Sequence, residues 1–123
     1  MSRRIARRLR ARPEAAGEAR EMVREVDLSP RQGTDATLLL SEVVTNSVRH
    51  AGLNDDDAIE VVLDAGDVLR VEVRNRGAGF EVKALEPDPA RPSGWGLYLV
   101  EQLADRWGVD QGPPTTVWFE LGA

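Results

Sequence analysis

Two polar side chains stand one helical turn apart within an otherwise apolar stretch of the sequence. Glu42 and Asn46 are four residues apart, and in a helix this spacing puts both side chains on the same face. An amide oxygen can bind a hard cation, and a neighbouring carboxylate can orient or deprotonate a hydroxyl nucleophile. The pair therefore has two interpretations, a solvated helix face or a catalytic site that uses a divalent cation.

Two glycine-rich segments follow farther along the chain. Asn75 precedes Gly77 and Gly79, and residues without a Cβ let the backbone approach a flat ring or a phosphate closely. Gly94 and Gly96 stand at the predicted start of a helix, where free N–H groups favour a phosphate. Each segment also has a structural interpretation, because turns and hinges commonly use glycine.

The segment between the glycine pairs, residues 81–95, is charged and contains Pro87, Pro89 and Pro92. It is too long for a simple connection, so we interpret its residues 81–93 as a functional lid or a mobile linker. The 123 residues otherwise predict one domain, spanning residues 1–123.

Hydropathy patterns predict the elements that must position these residues. Ser29, Pro30 and Gln32 form a helix start signal in which the serine caps and the glutamine completes a capping box. Predicted helices run from Pro13 to about Val26, over 30–50 and over 97–108; predicted strands cover 4–12, 59–63, 68–73 and 116–121. The apolar faces predict an α/β two-layer sandwich, with a mixed, mostly antiparallel sheet covered on one face by three helices.

Composition excludes several classes of function. The absence of cysteine excludes thiolate catalysis and iron–sulfur clusters, and a single histidine, His50, excludes a histidine-rich metal site. A net charge of −5 argues against general nucleic-acid affinity, although the first twelve residues hold six arginines. No apolar run is long enough to span a membrane and no secretory signal is recognisable, so we expect a cytoplasmic protein.

The order of these signals resembles the GHKL superfamily of ATP-binding proteins, and within it the stand-alone anti-sigma-factor serine kinases of bacteria, especially of actinobacteria. The resemblance covers about residues 4–121 and implies a Bergerat-type ATP-binding fold. It is carried by residues 41–46 (SEVVTN), 75–79 (NRGAG), 94–97 (GWGL) and 116–118 (TVW).

The resemblance also implies roles for individual residues. Glu42 would be the general base, and Asn46 would hold Mg²⁺ beside the phosphates of ATP. The remaining nucleotide-binding positions would be Asn75, Gly77, Gly79, Gly94, Gly96, Leu97 and Thr116. The implied substrate is a serine of an anti-anti-sigma antagonist, and the implied second partner is a sigma factor. The relatives dimerise, which suggests a homodimer through the first strand.

One departure from the family bears directly on ATP binding. The family usually has aspartate at the position of Asn75, where a carboxylate accepts a hydrogen bond from the adenine amino group. A neutral amide accepts more weakly, so we expect weakened ATP binding. This departure supports an alternative, a non-catalytic protein-binding module of the same fold with weak or absent nucleotide binding. A detached catalytic domain of a histidine kinase is a third interpretation, and no phosphoacceptor segment supports it.

Overall fold

The core of the molecule is a five-stranded sheet with helices packed on one face. The computed structural model describes residues 3–50, 54, 56–75, 95–112 and 114–123, with the side chains of residues 50 and 95–97 left undescribed. The elements in chain order are β1 (Arg3–Arg10), α1 (Ala15–Val23), α2 (Pro30–His50), β2 (Ala58–Ala65), β3 (Val68–Asn75), α3 (Trp95–Leu103), β4 (Arg106–Asp110) and β5 (Thr115–Gly122).

The strand order is β1-β2-β3-β5-β4, so β1 and β4 are the two edges of the sheet. All four pairings between the described strands are antiparallel. The predicted hairpin between β2 and β3 is confirmed, with Ala65 opposite Leu69 and Gly66 in the turn. The predicted two-layer α/β architecture is confirmed as well.

The two faces of the sheet differ because side chains alternate along each strand. On β5, Thr115, Val117, Phe119 and Leu121 are buried beneath the helices, whereas the residues between them are half-buried on the open face. The covered face is the core, and its largest fully buried side chain is Phe119. The open face carries charged residues in cross-strand register.

The start of α2 confirms the predicted capping box. The Ser29 N–H donates to Gln32 Oε1 over 3.1 Å, and the Gln32 N–H donates to Ser29 Oγ over 3.2 Å. The helix then buries a stripe of Ala36, Leu39, Leu40, Val43, Val44 and Ser47 against the sheet and the neighbouring helices. None of the helices in the described part of the chain has the length and the apolar character needed to cross a bilayer.

The predicted third helix is wrong at its carboxyl end. It ends at Leu103 rather than at residue 108, and Trp107 and Val109 belong to the short strand β4. The periodicity misled because Leu103 and Trp107 are four residues apart and both pack against the core, one from a helix and the other from a strand. The change from helix to strand occurs at Asp105, whose N–H donates to the Glu120 carbonyl of β5 over 2.9 Å.

Candidate functional site

Glu42 and Asn46, which we call the acid–amide pair, lie in the second half of α2. Both side chains are half-buried beside the fully buried Val43 and Val44. Among the described residues, neither member of the pair has a hydrogen bond or an ion pair. Their polar atoms are therefore not engaged by the fold, and a carboxylate beside an amide on one helix face is a candidate for binding a ligand.

The course of α2 brings this pair toward one end of the sheet. The helix begins beside the carboxyl end of β5, where the Gln32 side chain donates to the Leu121 carbonyl over 3.0 Å. After α2 the chain enters β2 at Ala58, at the opposite end of the sheet, where β3 finishes in Asn75. The second half of α2 therefore extends toward the end of the sheet that holds Asn75.

Asn75 and Thr115 form the floor of the covered face at this end of the sheet. They are cross-strand partners on β3 and β5, and their exposed fractions are 1% and 4%. Thr115 was not among the predicted site residues. Its adjacent pairing with Asn75 becomes visible only when the strand register is known.

Thr116, the threonine that we predicted in the site, lies on the open face of β5. It is opposite Arg74 of β3 and Asp110 of β4, and it lines a shallow depression with Trp118 on that face. The structure therefore does not bring Thr116 together with Asn75. The neighbouring Thr115 shares the face of Asn75, because successive side chains of a strand point to opposite faces.

The second glycine segment leads into α3, which begins at Trp95 and includes Gly96 and Leu97 in its first turn. An α-helix leaves the N–H groups of its first turn without acceptors within the helix, so the start of α3 is where the predicted phosphate site would lie. Gly77, Gly79, Gly94 and the predicted lid, residues 81–93, lie outside the described residues.

The carboxyl end of α3 is joined to the start of α2 by Arg31. The guanidinium donates to both carboxylate oxygens of Asp105, over 3.0 and 3.1 Å, and to the carbonyls of Leu103 and Gly122. The Asp105 carboxylate also accepts the Gly122 N–H over 2.7 Å. The Arg31 bonds and this backbone bond lower the pKa of Asp105 to about 2. α3 ends beside the start of α2 and packs against it, so its first turn lies away from this junction.

A second contact reaches the residue that precedes Glu42. Arg20 of α1 donates to Ser41 Oγ over 2.8 Å, which ties α1 to the middle of α2. Sequence reasoning did not identify this contact, since the two residues are 21 positions apart and no local pattern connects them.

A cavity of about 680 Å³ opens at the Asn75 end of the sheet. Its described lining combines Asn75 and Pro114 with basic side chains, Arg8 and Arg74, and with acidic ones that include Glu60. The acid–amide pair is not among the described residues that line it. The cavity therefore reaches the floor of the candidate site from the side of the open face.

Five charged residues of the open face, on β2, β3 and β5, pair with one another. Arg70 donates to Glu72 over 2.9 Å and to Glu120 over 3.1 Å. Arg74 donates to Glu60 over 2.9 Å and also to Glu72. Burial by itself would raise the pKa of Glu72, but hydrogen bonds from the two arginines outweigh it and lower that pKa. The open-face carboxylates thus have arginine partners within the sheet, whereas Glu42 has no ion pair among the described residues.

The donor set at the acid–amide pair fits a divalent cation. Carboxylate and amide oxygens are the ligands that Mg²⁺ prefers, and Mg²⁺ commonly uses one or two protein groups together with substrate phosphates. No group of three or more carboxylate or imidazole side chains that could hold a metal unaided is found within the described ranges. The pair thus fits an ion that a phosphate ligand helps to hold.

Comparison with known protein families identifies the domain. The profile of the histidine kinase-like ATPase domain matches residues 5–120, a range that includes the acid–amide pair, both glycine segments and most of β5. The match covers nearly all of the chain.

Individual relatives carry the name serine-protein kinase RsbW. The protein from Oceanobacillus iheyensis is 27% identical over 113 residues, which cover 77% of this chain and 71% of that protein. Those from Staphylococcus aureus and Bacillus velezensis are 32% and 35% identical over 97 residues, or 68% of this chain. The chain spans only 61% and 60% of the length of these two relatives.

The fold also has a counterpart among solved structures. The crystal structure of the RsbU and RsbW domains of Rv1364c from Mycobacterium tuberculosis superimposes with a TM-score of 0.74 at 22% sequence identity. It covers 98% of this chain and 32% of that longer chain. At this level of identity the likeness establishes the fold.

Proposed function

This chain belongs to the histidine kinase-like ATPase domain family, and on that premise we propose that it is an ATP-dependent protein serine/threonine kinase of the anti-sigma-factor type. Its substrate would be a serine of an anti-anti-sigma antagonist, and in its other state it would sequester a sigma factor. The relatives named serine-protein kinases support a protein serine as the phosphate acceptor.

One observation carries the proposal: the half-buried acid–amide pair of α2 has no partner among the described residues. A carboxylate in this state is available to accept a proton, which the ion-paired carboxylates of the open face are not. The amide one turn away offers an oxygen for a cation. Both groups that phosphoryl transfer requires from the protein are thus present on one helix.

Glu42 acts as the general base of the transfer. Its carboxylate accepts the proton of the substrate seryl hydroxyl as that oxygen forms a bond to the γ-phosphorus. The bond between the γ-phosphorus and the β,γ-bridging oxygen breaks, ADP leaves, and the proton passes from Glu42 to solvent. Positioning and charge stabilisation provide most of the acceleration in such reactions, so the role of Glu42 is to orient the hydroxyl as well as to deprotonate it.

The remaining residues bind the nucleotide. Asn46 would hold Mg²⁺, which neutralises phosphate charge when it is bound. Asn75 and Thr115 would hydrogen-bond the base from the floor of the covered face; we propose Thr115 here in place of Thr116. The first turn of α3, with Gly96 and Leu97, would receive the phosphates together with Gly77, Gly79 and Gly94, and residues 81–93 would close over them.

The decisive experiment follows labelled γ-phosphate from ATP to an antagonist protein purified with this chain, with and without Mg²⁺. The proposal expects magnesium-dependent labelling of one antagonist serine, loss of labelling when that serine is replaced by alanine, and loss of labelling in the Asn46→Ala variant. Tight binding of the antagonist without any labelling would reject the kinase assignment.

A second candidate function is a non-catalytic partner-binding module, and Asn75 is the observation that favours it. An amide at this position removes a charge-assisted hydrogen bond to adenine, and such bonds contribute about 1.5–3 kcal/mol against about 0.5–1.5 kcal/mol for neutral ones. A thermal-shift series with ATP, ADP and GTP distinguishes the two, because a ligand that binds the native state raises its stability. Absence of a shift with every nucleotide would favour the module.

A further inference from the structure

The outer edge of β1 is a regular, unpaired strand edge at one side of the sheet. All eight residues of β1 pair with β2 without a bulge, from Arg3 opposite Ala65 to Arg10 opposite Ala58. Among the described residues β1 has no other strand neighbour, so within that part of the chain its second row of backbone donors and acceptors faces outward. A straight edge of this length is a template for another strand.

The charge of this edge is strongly positive and largely uncompensated. Five of the eight residues of β1 are arginine. Arg7 bonds Glu25, whereas Arg3, Arg4, Arg8 and Arg10 form no ion pair with any described residue. The rest of the chain beyond residue 12 is acidic, with ten basic against 21 acidic residues. The four arginines are therefore an isolated basic strip on an acidic protein.

The arginine side chains of β1 have different surroundings on the open face and on the covered face of the sheet. Arg4 and Arg8 project from the open face, where they lie opposite Asp64 and Glu60 of β2. On the covered face Arg7 is already neutralised by Glu25. A groove of about 470 Å³ runs beside the strand. It is lined by Arg8, Leu9, Arg10 and Arg12, by Glu18 of α1 and by Glu14, which precedes α1.

A second copy of this chain fits the edge poorly. Antiparallel pairing of two β1 strands would bring ten guanidinium groups into adjacent strands, because each copy contributes five. Like charges directly opposite each other destabilise a sheet. A homodimer through the first strand, which the family resemblance suggests, is therefore disfavoured by the charge of this particular strand.

We propose that the outer edge of β1 binds an extended, acidic segment of a partner protein as a sixth strand. Alternating acidic side chains on the segment would face Arg4 and Arg8 on the open face. Small neutral side chains would face the covered side, where Arg7 is already paired with Glu25 and leaves no free positive charge for an acid. Backbone hydrogen bonds supply affinity in this mode of recognition and the alternate side chains supply specificity. The edge of β1 lies two strands away from Asn75 of β3, although Arg8 also lines the cavity beside Asn75. The inference rests on the strand edge and its charge and not on nucleotide binding, so it stands independently of the kinase proposal.

A peptide suits the edge better than a nucleic acid does. The recognition groups are a row of backbone amides and carbonyls spaced for a strand, and a phosphodiester chain cannot pair with both. The acidic remainder of the protein would also repel a long polyanion.

The experiment titrates the full chain with an eight-residue peptide of alternating Glu and Thr, capped at both ends and equal in length to β1. Calorimetry should detect binding that weakens as salt is raised. Amide hydrogen exchange should show new protection at alternate β1 residues, those whose N–H groups do not bond β2. A peptide with one central Thr replaced by Pro, which removes a backbone donor, should bind markedly more weakly.

Paired variants locate the surface. Arg4→Gln with Arg8→Gln should weaken binding roughly tenfold, which corresponds to about 1.4 kcal/mol. The matched control, Arg24→Gln with Arg106→Gln, removes the same charge from the residue after α1 and from the opposite edge of the sheet, and it should leave the affinity unchanged. Thermal melting of each variant verifies its fold, and the Pro-containing peptide tests the wild-type protein without any substitution.

Three outcomes would overturn the inference. The first is equal affinity for the Thr and Pro peptides, and the second is equal loss in the two paired variants. The third is a single-stranded oligonucleotide that binds more tightly than the acidic peptide at the same salt concentration. Protection confined to alternate β1 amides, together with the difference between the paired variants, would support it.

Discussion

The two faces of the sheet handle polar side chains in opposite ways. On the open face, Arg70, Glu72 and Arg74 bond one another and their cross-strand neighbours, and Arg70 lies 4.3 Å from the centre of the Trp118 ring. On the covered side, the carboxylate of Glu42 and the amide of Asn46 stand among apolar residues without a described partner.

This difference distinguishes polar groups that stabilise the fold from polar groups that are available to bind a ligand. A carboxylate between two arginines stabilises the sheet and holds no proton for exchange at neutral pH, as the lowered pKa of Glu72 indicates. A half-buried carboxylate without a protein partner gains little for the fold and is available to a ligand. The two groups should therefore respond differently to the same substitution.

The largest expected effect comes from exchanging the two carboxylates for amides. Glu42→Gln should lower phosphoryl transfer to the antagonist by about 10²- to 10⁴-fold, because it removes the general base. ATP affinity, measured by calorimetry, should change little.

Glu72→Gln is the matched control for that exchange. It should leave transfer unchanged and lower the free energy of unfolding by about 1 kcal/mol or less, since the ion pairs it breaks are partly exposed. Full transfer in Glu42→Gln, or an inactive but folded Glu72→Gln, would reverse the assignment of the two faces.

The next effect concerns the floor of the covered face. Asn75→Asp should tighten ATP binding roughly tenfold, because a carboxylate accepts the adenine amino group more strongly than an amide does. Without nucleotide the variant should melt at a lower temperature, since residue 75 is 1% exposed and the new charge is buried. Calorimetry and thermal melting measure the two changes. Unchanged or weaker ATP binding would contradict the role given to this residue.

Two adjacent threonines provide a smaller and sharper test. Thr115→Val should weaken ATP binding by up to about tenfold through the loss of one hydrogen bond, whereas Thr116→Val should leave it unchanged. The two substitutions are chemically identical and differ in the face of the sheet that they alter. A larger loss in Thr116→Val would mean that the nucleotide lies on the open face.

The smallest effect is a pH dependence at the junction of α2, α3 and β5. The pKa of Asp105 falls from its ordinary value of 3.8 to about 2 in the folded protein. Its contribution to stability is therefore complete above pH 3.8 and is lost as the pH falls from about 4 to about 2.

Asp105→Asn should flatten the pH dependence of unfolding in that range, measured by denaturant titration. Asp67→Asn, in the turn between β2 and β3, should not flatten it. ATP affinity at neutral pH should be unaffected in both variants, because Asp105 lies at the end of α3 away from its first turn. A weakened ATP affinity in Asp105→Asn alone would show that the junction also supports the site.

Much of the fold was predictable because its signals are local. The bounds of α2 were predicted correctly, since Ser29 and Gln32 form a capping box and the apolar stripe behind them has one period. β4 was not predictable, because Trp107 continues the helical spacing of Leu103 and only pairing with β5 makes the segment a strand. An edge strand of five residues has too few positions for its alternation to outweigh that spacing.

The candidate site also has one part that local sequence signals predict and another part that depends on contacts between distant residues. Sequence alone determined the acid–amide pair, because a spacing of four residues in a helix fixes a common face, and it determined the family through motifs in a fixed order. Tertiary structure decided which threonine shares a face with Asn75, which carboxylates are neutralised by arginine, and that the basic first strand is an open edge. Those properties depend on strand register and on contacts between residues far apart in the chain, and a one-residue shift in register reverses them.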